Sequence, residues 1–232
     1  MAETTAASAP TVLTDTANHM LDTAERLFAE TSIDRVSLRE IVRASGQANL
    51  SAAHYHFGSR DALIGALLAR RIRAINVIRH QWLDALVANG GDKNTYGVAY
   101  GTVLVLIDVV KTMPWGPDYV RVVAQALFNN NPDVWSYLDP DTMSGHTRVR
   151  DMLRALQPEL PPRVFKDRLW SLNNLSSFSI ARWVQSHGPV TSANSRRYAA
   201  MSRNLAGFLA AGMAAPYGEP TDEASSEEGP TA

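Results

Sequence analysis

Breakers cut this chain into segments whose apolar residues recur every three or four positions, and that period commits it to helices. In the first such segment the repeat runs through Ala17, Met20, Leu21, Ala24, Leu27 and Phe28. Ser37-Leu38-Arg39-Glu40 then reads as a capping box opening a short helix, Leu38 to about Ala44, which Ser45-Gly46 stops. Asn49 is a good N-cap for a third helix ending at Phe57, and Ser59 after Gly58 caps a long fourth one, Arg60 to about Val87. Beyond the Asn89-Gly90-Gly91-Asp92 loop, helices are predicted over 96–111, 118–128, 142–156, 162–187 and 192–213. The breakers between them are Met113 to Pro117, Asn129 to Pro132, Pro158 to Pro162 and Gly188-Pro189. Val103 to Val110 is the one β-compatible run, and its helical surroundings decide it as helix. The fold class is therefore all-α: three N-terminal helices in helix-turn-helix order, joined to a larger helical domain.

The domain limits follow. Residues 1–14, rich in Ala, Thr and Pro, are a disordered lead-in; 15–60 are the helix-turn-helix; 61–213 are the larger domain; 214–232 are an acidic, disordered tail. An apolar fraction of 45% suits a folded soluble chain of 232 residues. There is no cysteine, which removes disulfides, thiolate nucleophiles and Cys-based metal sites and fits a reducing cytoplasm. The N-terminus has no basic or apolar leader, and Val98 to Val110 is too short to cross a bilayer, so a cytoplasmic protein with no membrane partner is expected. The net charge of −1 hides a locally basic first third and an unpartnered acidic end, Glu219, Asp222, Glu223, Glu227 and Glu228.

A helix that enters a major groove needs small residues for close approach and a few hydrogen-bonding tips. Ser51, Ala52 and Ala53 supply the first, and Gln47, Asn49, Ser51 and His54 the second. Tyr55, His56 and Arg60 are placed to reach phosphate. Plain helical packing explains a capping box and a Gly turn equally well, so these features alone leave the choice open.

The wording of the segment settles on one side. Leu38-Arg39-Glu40-Ile41-Val42-Arg43-Ala44-Ser45-Gly46, followed by Tyr55-His56-Phe57-Gly58-Ser59-Arg60-Asp61-Ala62-Leu63-Ile64, closely resembles the DNA-binding domain of the TetR family of bacterial regulators. The likeness covers about Thr16 to Arg71 and is specific in order. It implies that Phe57 and Leu63 are core and that Tyr55 and His56 end the recognition helix. It also implies that Ser59-Arg60-Asp61 turns the chain into the connecting helix. Gly46-Gln47-Ala48-Asn49 departs from the usual turn by one residue, as in a subgroup with a Gly-Gln-x-Asn turn, and this leaves the register of Gln47 and Asn49 toward DNA open by one position.

From Tyr96 onward the resemblance is one of layout, and it implies a dimer formed by the last two helices. Their apolar faces agree, and Leu172, Leu175, Ile180, Trp183, Tyr198, Met201, Leu205 and Phe208 are the candidate dimerisation residues; burial within one monomer is the competing explanation. Met113, Trp115, Tyr119, Phe128, Trp170 and Phe178 offer apolar surface for a ligand. Asn173, Asn174 and Ser177 sit among apolar neighbours and must find a partner, whether a ligand, a dimer contact or another side chain. The expected function is a repressor, not an enzyme: a homodimer on palindromic double-stranded operator DNA, released by a small, hydrophobic effector of unknown identity. The alternative is a constitutive DNA-binding regulator or activator without a switch. No cofactor and no metal are expected, because His54 and His56 diverge on their helix and the other histidines lack ligand spacing.

Overall fold

The computed structural model describes residues 13–128 and 135–218. Among them the regular elements are helical: α1 (Asp15–Glu30), α2 (Leu38–Ala44), α3 (Leu50–Phe57), α4 (Arg60–Ala88), α5 (Thr95–Thr112), α6 (Gly116–Phe128), α7 (Ser144–Ala155), α8 (Pro162–His187) and α9 (Ser195–Ala214), with short 3-10 turns at Ile33–Arg35 and Gly91–Lys93. The all-α expectation holds. Most of the lead-in, most of the acidic tail and the Asn129 to Pro132 breaker lie outside the described residues.

Local chemistry fixes the helix starts. The Thr14 hydroxyl accepts from the Ala17 amide at 3.2 Å. At Ser37 both arms of the capping box form: the Glu40 amide donates to Ser37 Oγ at 3.2 Å, and the Ser37 amide donates to Glu40 Oε2 at 2.7 Å. The chain leaves α2 through Gly46 at φ +71° and α3 through Gly58 at φ +75°, a region that favours glycine. At the far end, residues 214–218 are held: Arg168 donates to the carbonyls of Met213, Ala215 and Pro216, and Gln157 Nε2 donates to that of Met213 at 2.8 Å. Met213 carries an orphan carbonyl of the α9 terminus and Ala215 and Pro216 follow it, and two side chains from elsewhere satisfy all three.

The core of the N-terminal helices runs without a break into the rest of the molecule. Leu21, Phe28 and Ile41 join Leu63, Ile64, Leu67 and Leu68 of α4, Val105 and Val109 of α5, and Tyr119 and Val122 of α6. A small cluster of Met20, Val42 and Ala53 seats α3 on α1 and α2. A second large core gathers α5, α7, α8 and α9 around Leu153, Leu172, Ile180, Trp183 and Tyr198. Helix α5 is long and apolar enough by composition to cross a membrane, yet here it lies in the middle of the bundle, against α4, α6, α7, α8 and α9. Its Gly101 is required by contact: a Cβ there would fall 1.6 Å from the Trp82 indole of α4.

Polar contacts tie α1 to the larger part. Glu25, 3% exposed, receives Arg71 Nε at 3.0 Å on each carboxylate oxygen, while Arg70 Nη2 lies 2.6 Å from Asp22. The Arg71 guanidinium also stacks over Trp115, 4.6 Å from the ring centre. Gln125 of α6 donates to the Phe28 carbonyl at 3.1 Å and accepts from the Ile33 amide at 2.7 Å. Removing one partner of a buried ion pair strands the other, so Glu25→Ala is expected to cost ~3–5 kcal/mol in urea unfolding. Glu25→Leu combined with Arg71→Leu should recover most of that loss. A cost below about 1 kcal/mol for Glu25→Ala would show that the pair does not hold the junction.

Candidate functional site

Helix α3 presents its outer face to solvent and buries Ala53 beneath. Asn49 Oδ1 caps it, accepting from both the amide and the hydroxyl of Ser51 at 2.9 Å. Asn49 is thus engaged as a cap, and Ser51 keeps its oxygen lone pairs for an outside donor. The Nδ1–H of His54 donates to the Gly58 carbonyl at 2.9 Å, which fixes the tautomer and leaves Nε2 as an acceptor. Tyr55 is 85% exposed, and its ring meets His56 edge-on at 5.1 Å. Ala52, His56 and Gln47 are half-buried.

Arg60 departs from expectation. Its Nε donates to the Val36 carbonyl at 3.0 Å, its Nη2 donates to the Ile33 carbonyl, and its guanidinium lies 5.7 Å from the Phe28 ring centre. Arg60 reaches back to carbonyls of the loop between α1 and α2 instead of facing phosphate. Arg39 and Arg43, which enter the sequence reading only as part of the basic first third, are exposed one turn apart on α2, opposite buried Ile41 and Val42. Their four-residue spacing was the available signal.

The nine expected ligand-site residues divide. Tyr119, Asn173 and Ser177 line a cavity of about 250 Å³, whose other walls include Ile72, Ile75 and Arg79 of α4, Thr102 and Leu106 of α5, Val123 of α6 and His146 of α7. Met113 and Trp115 pack on the core beneath Arg71, and Asn174 is buried with its amide on the Trp170 carbonyl at 2.8 Å. Phe128, 79% exposed, and Phe178 border a separate groove against the end of α1, while Trp170 is 57% exposed on the surface. The polar groups on α8 find partners in their own helix: Asn173 donates to the Leu169 carbonyl at 3.0 Å, and Ser176 and Ser177 donate to the Asn173 carbonyl at 2.8 and 3.0 Å. A wider apolar groove of about 670 Å³ lies between Trp82, Ile107 and Tyr198, with Lys111, Arg196 and Arg203 on its rim.

The eight expected dimerisation residues divide as well. Leu172, Ile180, Trp183 and Tyr198 belong to the core of their own chain, where Trp183 stacks on His187 at 4.7 Å and meets Tyr198 at 4.6 Å. Met201 and Leu205 are half-buried, and Leu175 (40% exposed) and Phe208 (71% exposed) face outward. A stripe broad enough for two faces has spent one of them on the monomer.

The cavity's electrostatics depend on residues far apart in the chain, and no local pattern announces them. Arg79 is buried beside Asn76, whose Oδ1 accepts from Nη1 at 2.8 Å. Burial, with Arg79 adding to it, holds the His146 ring far below its ordinary value, at about 3, so it stays neutral. Burial pushes the Tyr119 phenol up to about 12. Among the described residues no group of three or more His, Cys, Asp or Glu gathers to hold a metal. As pH falls below 6.5, the unfolded chain protonates His146 while the folded one does not, so this stability is complete above 6.5 and drains away toward 3. Glu25 has the opposite sign, because burial raises its proton affinity in the folded state. Replacing His146 by Gln should therefore flatten the decline between pH 7 and pH 5 by roughly 2 kcal/mol in urea titrations; an unchanged decline would contradict a buried neutral ring.

Residues 20–67 match the family described as bacterial regulatory proteins, tetR family. Most of the chain is similar in fold to solved structures that include the following three. The fatty acid degradation regulator FadR from Bacillus halodurans aligns over 83% of this chain and 97% of its own, at 12% identity and a TM-score of 0.57. FadR from Bacillus subtilis, in complex with stearoyl-CoA, aligns over 84% and 98%, at 14% identity and a TM-score of 0.53. Salmonella enterica GusR aligns over 87% and 97%, at 18% identity and a TM-score of 0.50. No curated protein matches the chain in sequence.

Proposed function

We propose that the chain, whose residues 20–67 match the tetR family of bacterial regulatory proteins, is a DNA-binding transcriptional regulator that acts as a homodimeric repressor, released from its operator by a compact effector bound in the cavity between α4 and α8. One observation carries this. Helix α4 is a single rod of 29 residues, about 43 Å long. Its start follows the α3–Gly58 corner, and its middle supplies Ile72, Ile75 and Arg79 to the cavity wall. A ligand that favours a different seating of α4 therefore tilts α3, and release follows from its unequal affinity for the two arrangements. The cavity is smaller than the ~300–1,000 Å³ of pockets for drug-sized ligands. That argues for a compact effector, not a long-chain acyl-CoA of the kind held by Bacillus subtilis FadR.

On DNA, α3 lies in the major groove, with Ser51, His54 Nε2 and Gln47 toward base edges and Tyr55 toward the backbone. Arg39 and Arg43 contact phosphate. Two copies join through Leu175, Met201, Leu205 and Phe208, which sets the paired α3 helices about 34 Å apart, one turn of B-DNA.

The test is binding to duplexes selected from a random pool. Replacing Arg39 and Arg43 by Ala should weaken all sequences alike and lower the salt slope by about 1 for each phosphate no longer neutralised. Replacing Ser51 and His54 should change the preferred sequence, and an unchanged preference would displace α3 as the reading helix. Arg60→Ala should instead leave the salt slope alone and cost ~1–3 kcal/mol of stability, by stranding two carbonyls. Leu175→Glu with Phe208→Glu should give a folded monomer in sedimentation. A dimer that survives both changes would rule out this interface.

A further inference from the structure

Arginines on the junction and rim of this molecule are answered by the protein itself. Arg71 has Glu25, Arg70 has Asp22, Arg60 has two backbone carbonyls, and Arg168 has the α9 terminus. Arg79 is the exception. It is 6% exposed and lines the cavity, yet its Nε finds no acceptor, and among the described residues no carboxylate pairs with it. Its polar contacts are neutral: Asn76 Oδ1 at 2.8 Å and His146 Nδ1 at 3.4 Å. A guanidinium does not shed its proton in a protein, so this buried charge persists. Isolated buried charge is among the costliest arrangements a fold can hold, and it calls for a counter-ion.

The surroundings favour an anion further. A Cβ on Gly145 would lie 2.3 Å from Asn76 Oδ1 and 3.0 Å from Arg79 Cδ, so the start of α7 presses directly on this group. That helix has no side-chain cap, and its first-turn amides add positive potential beside Arg79. The remaining walls include Ile72, Leu106, Tyr119 and Val123. We propose that the cavity is a site for a compact organic monoanion, a carboxylate on an apolar body, whose charge pairs with Arg79 through the guanidinium fork. The inference rests on reading this cavity as the effector site. One buried cation with no carboxylate partner among the described residues matches one negative charge, and a volume of about 250 Å³ favours a short apolar body.

Calorimetry on the full chain tests it with benzoate, phenylacetate and octanoate, each against its primary amide. At least one acid should bind once per chain, tenfold or more tighter than its amide. Arg79→Met should bring that acid down to the amide's level without lowering the melting temperature of the free protein, because it removes an uncompensated charge. Arg79→Lys, which keeps the charge and loses the fork, should retain a reduced preference, and it carries the test if Arg79→Met does not fold. No acid outbinding its amide tenfold, or a preference untouched in both variants, would overturn the assignment. Acid binding through Arg79 that leaves operator affinity unchanged would keep the anion site and sink the effector reading. Release by acids and amides alike, unaffected at Arg79, would do the reverse.

Discussion

A carboxylate withdrawn from water must be answered at once, and Glu25 is answered by Arg71 across the boundary between α1 and α4. That pair ties α1, and with it the small helices α2 and α3, to the rest of the chain. Arg71 is held from its other side by the Trp115 ring, so one guanidinium joins α1, α4 and the lead-in to α6. Gln125 adds a second clamp by taking up a carbonyl and an amide at the far end of α1. The apolar core beneath is shared between the same helices, and α3 has no separate foundation: it rests on α1 and α2, and these rest on α4 and α6.

Arg71 and Arg79 lie eight residues apart on one helix and illustrate two uses of the same side chain. The first is matched inside the protein, which makes it structural. The second faces a cavity with neutral partners, and its unmet charge is stored where a ligand can reach it. Both act on α4. The junction pair anchors one stretch of the rod and the cavity borders its middle, so under the proposed switch the two would compete for the same helix instead of signalling through a chain of intermediates.

What the sequence made legible is what neighbouring residues settle among themselves. The Ser37–Glu40 box, the Asn49 cap and the Gly46 and Gly58 turns are local hydrogen-bond and backbone problems, solved within a few positions. The bounds of α8 follow in the same way from Pro162 and Gly188. What stayed hidden depends on distant partners. Arg60 points inward because carbonyls 24 and 27 positions earlier need donors. Trp115 is a lid on Arg71, and Tyr198 is core because its hydroxyl donates to the Ile107 carbonyl, 91 positions away. Phe128 and Trp170, expected at a ligand site, and Phe208, expected in the dimer face, are all exposed on the single chain. An amphipathic pattern shows that a face is apolar, but not whether that face meets its own chain, a second copy or solvent.

The place of α5 bears on how the chain is made. A segment apolar enough to suit a bilayer is synthesised well before the helices that enclose it, and α9, which lies along it, comes last. The N-terminal helices can settle on α4 and α6 while the other side of α5 is still bare. Until Tyr198 reaches Ile107, the nascent regulator therefore carries a greasy flank that chaperones, membranes or a sister chain can seize. The final helix, laid along α5, thus acts as the seal on the whole polypeptide.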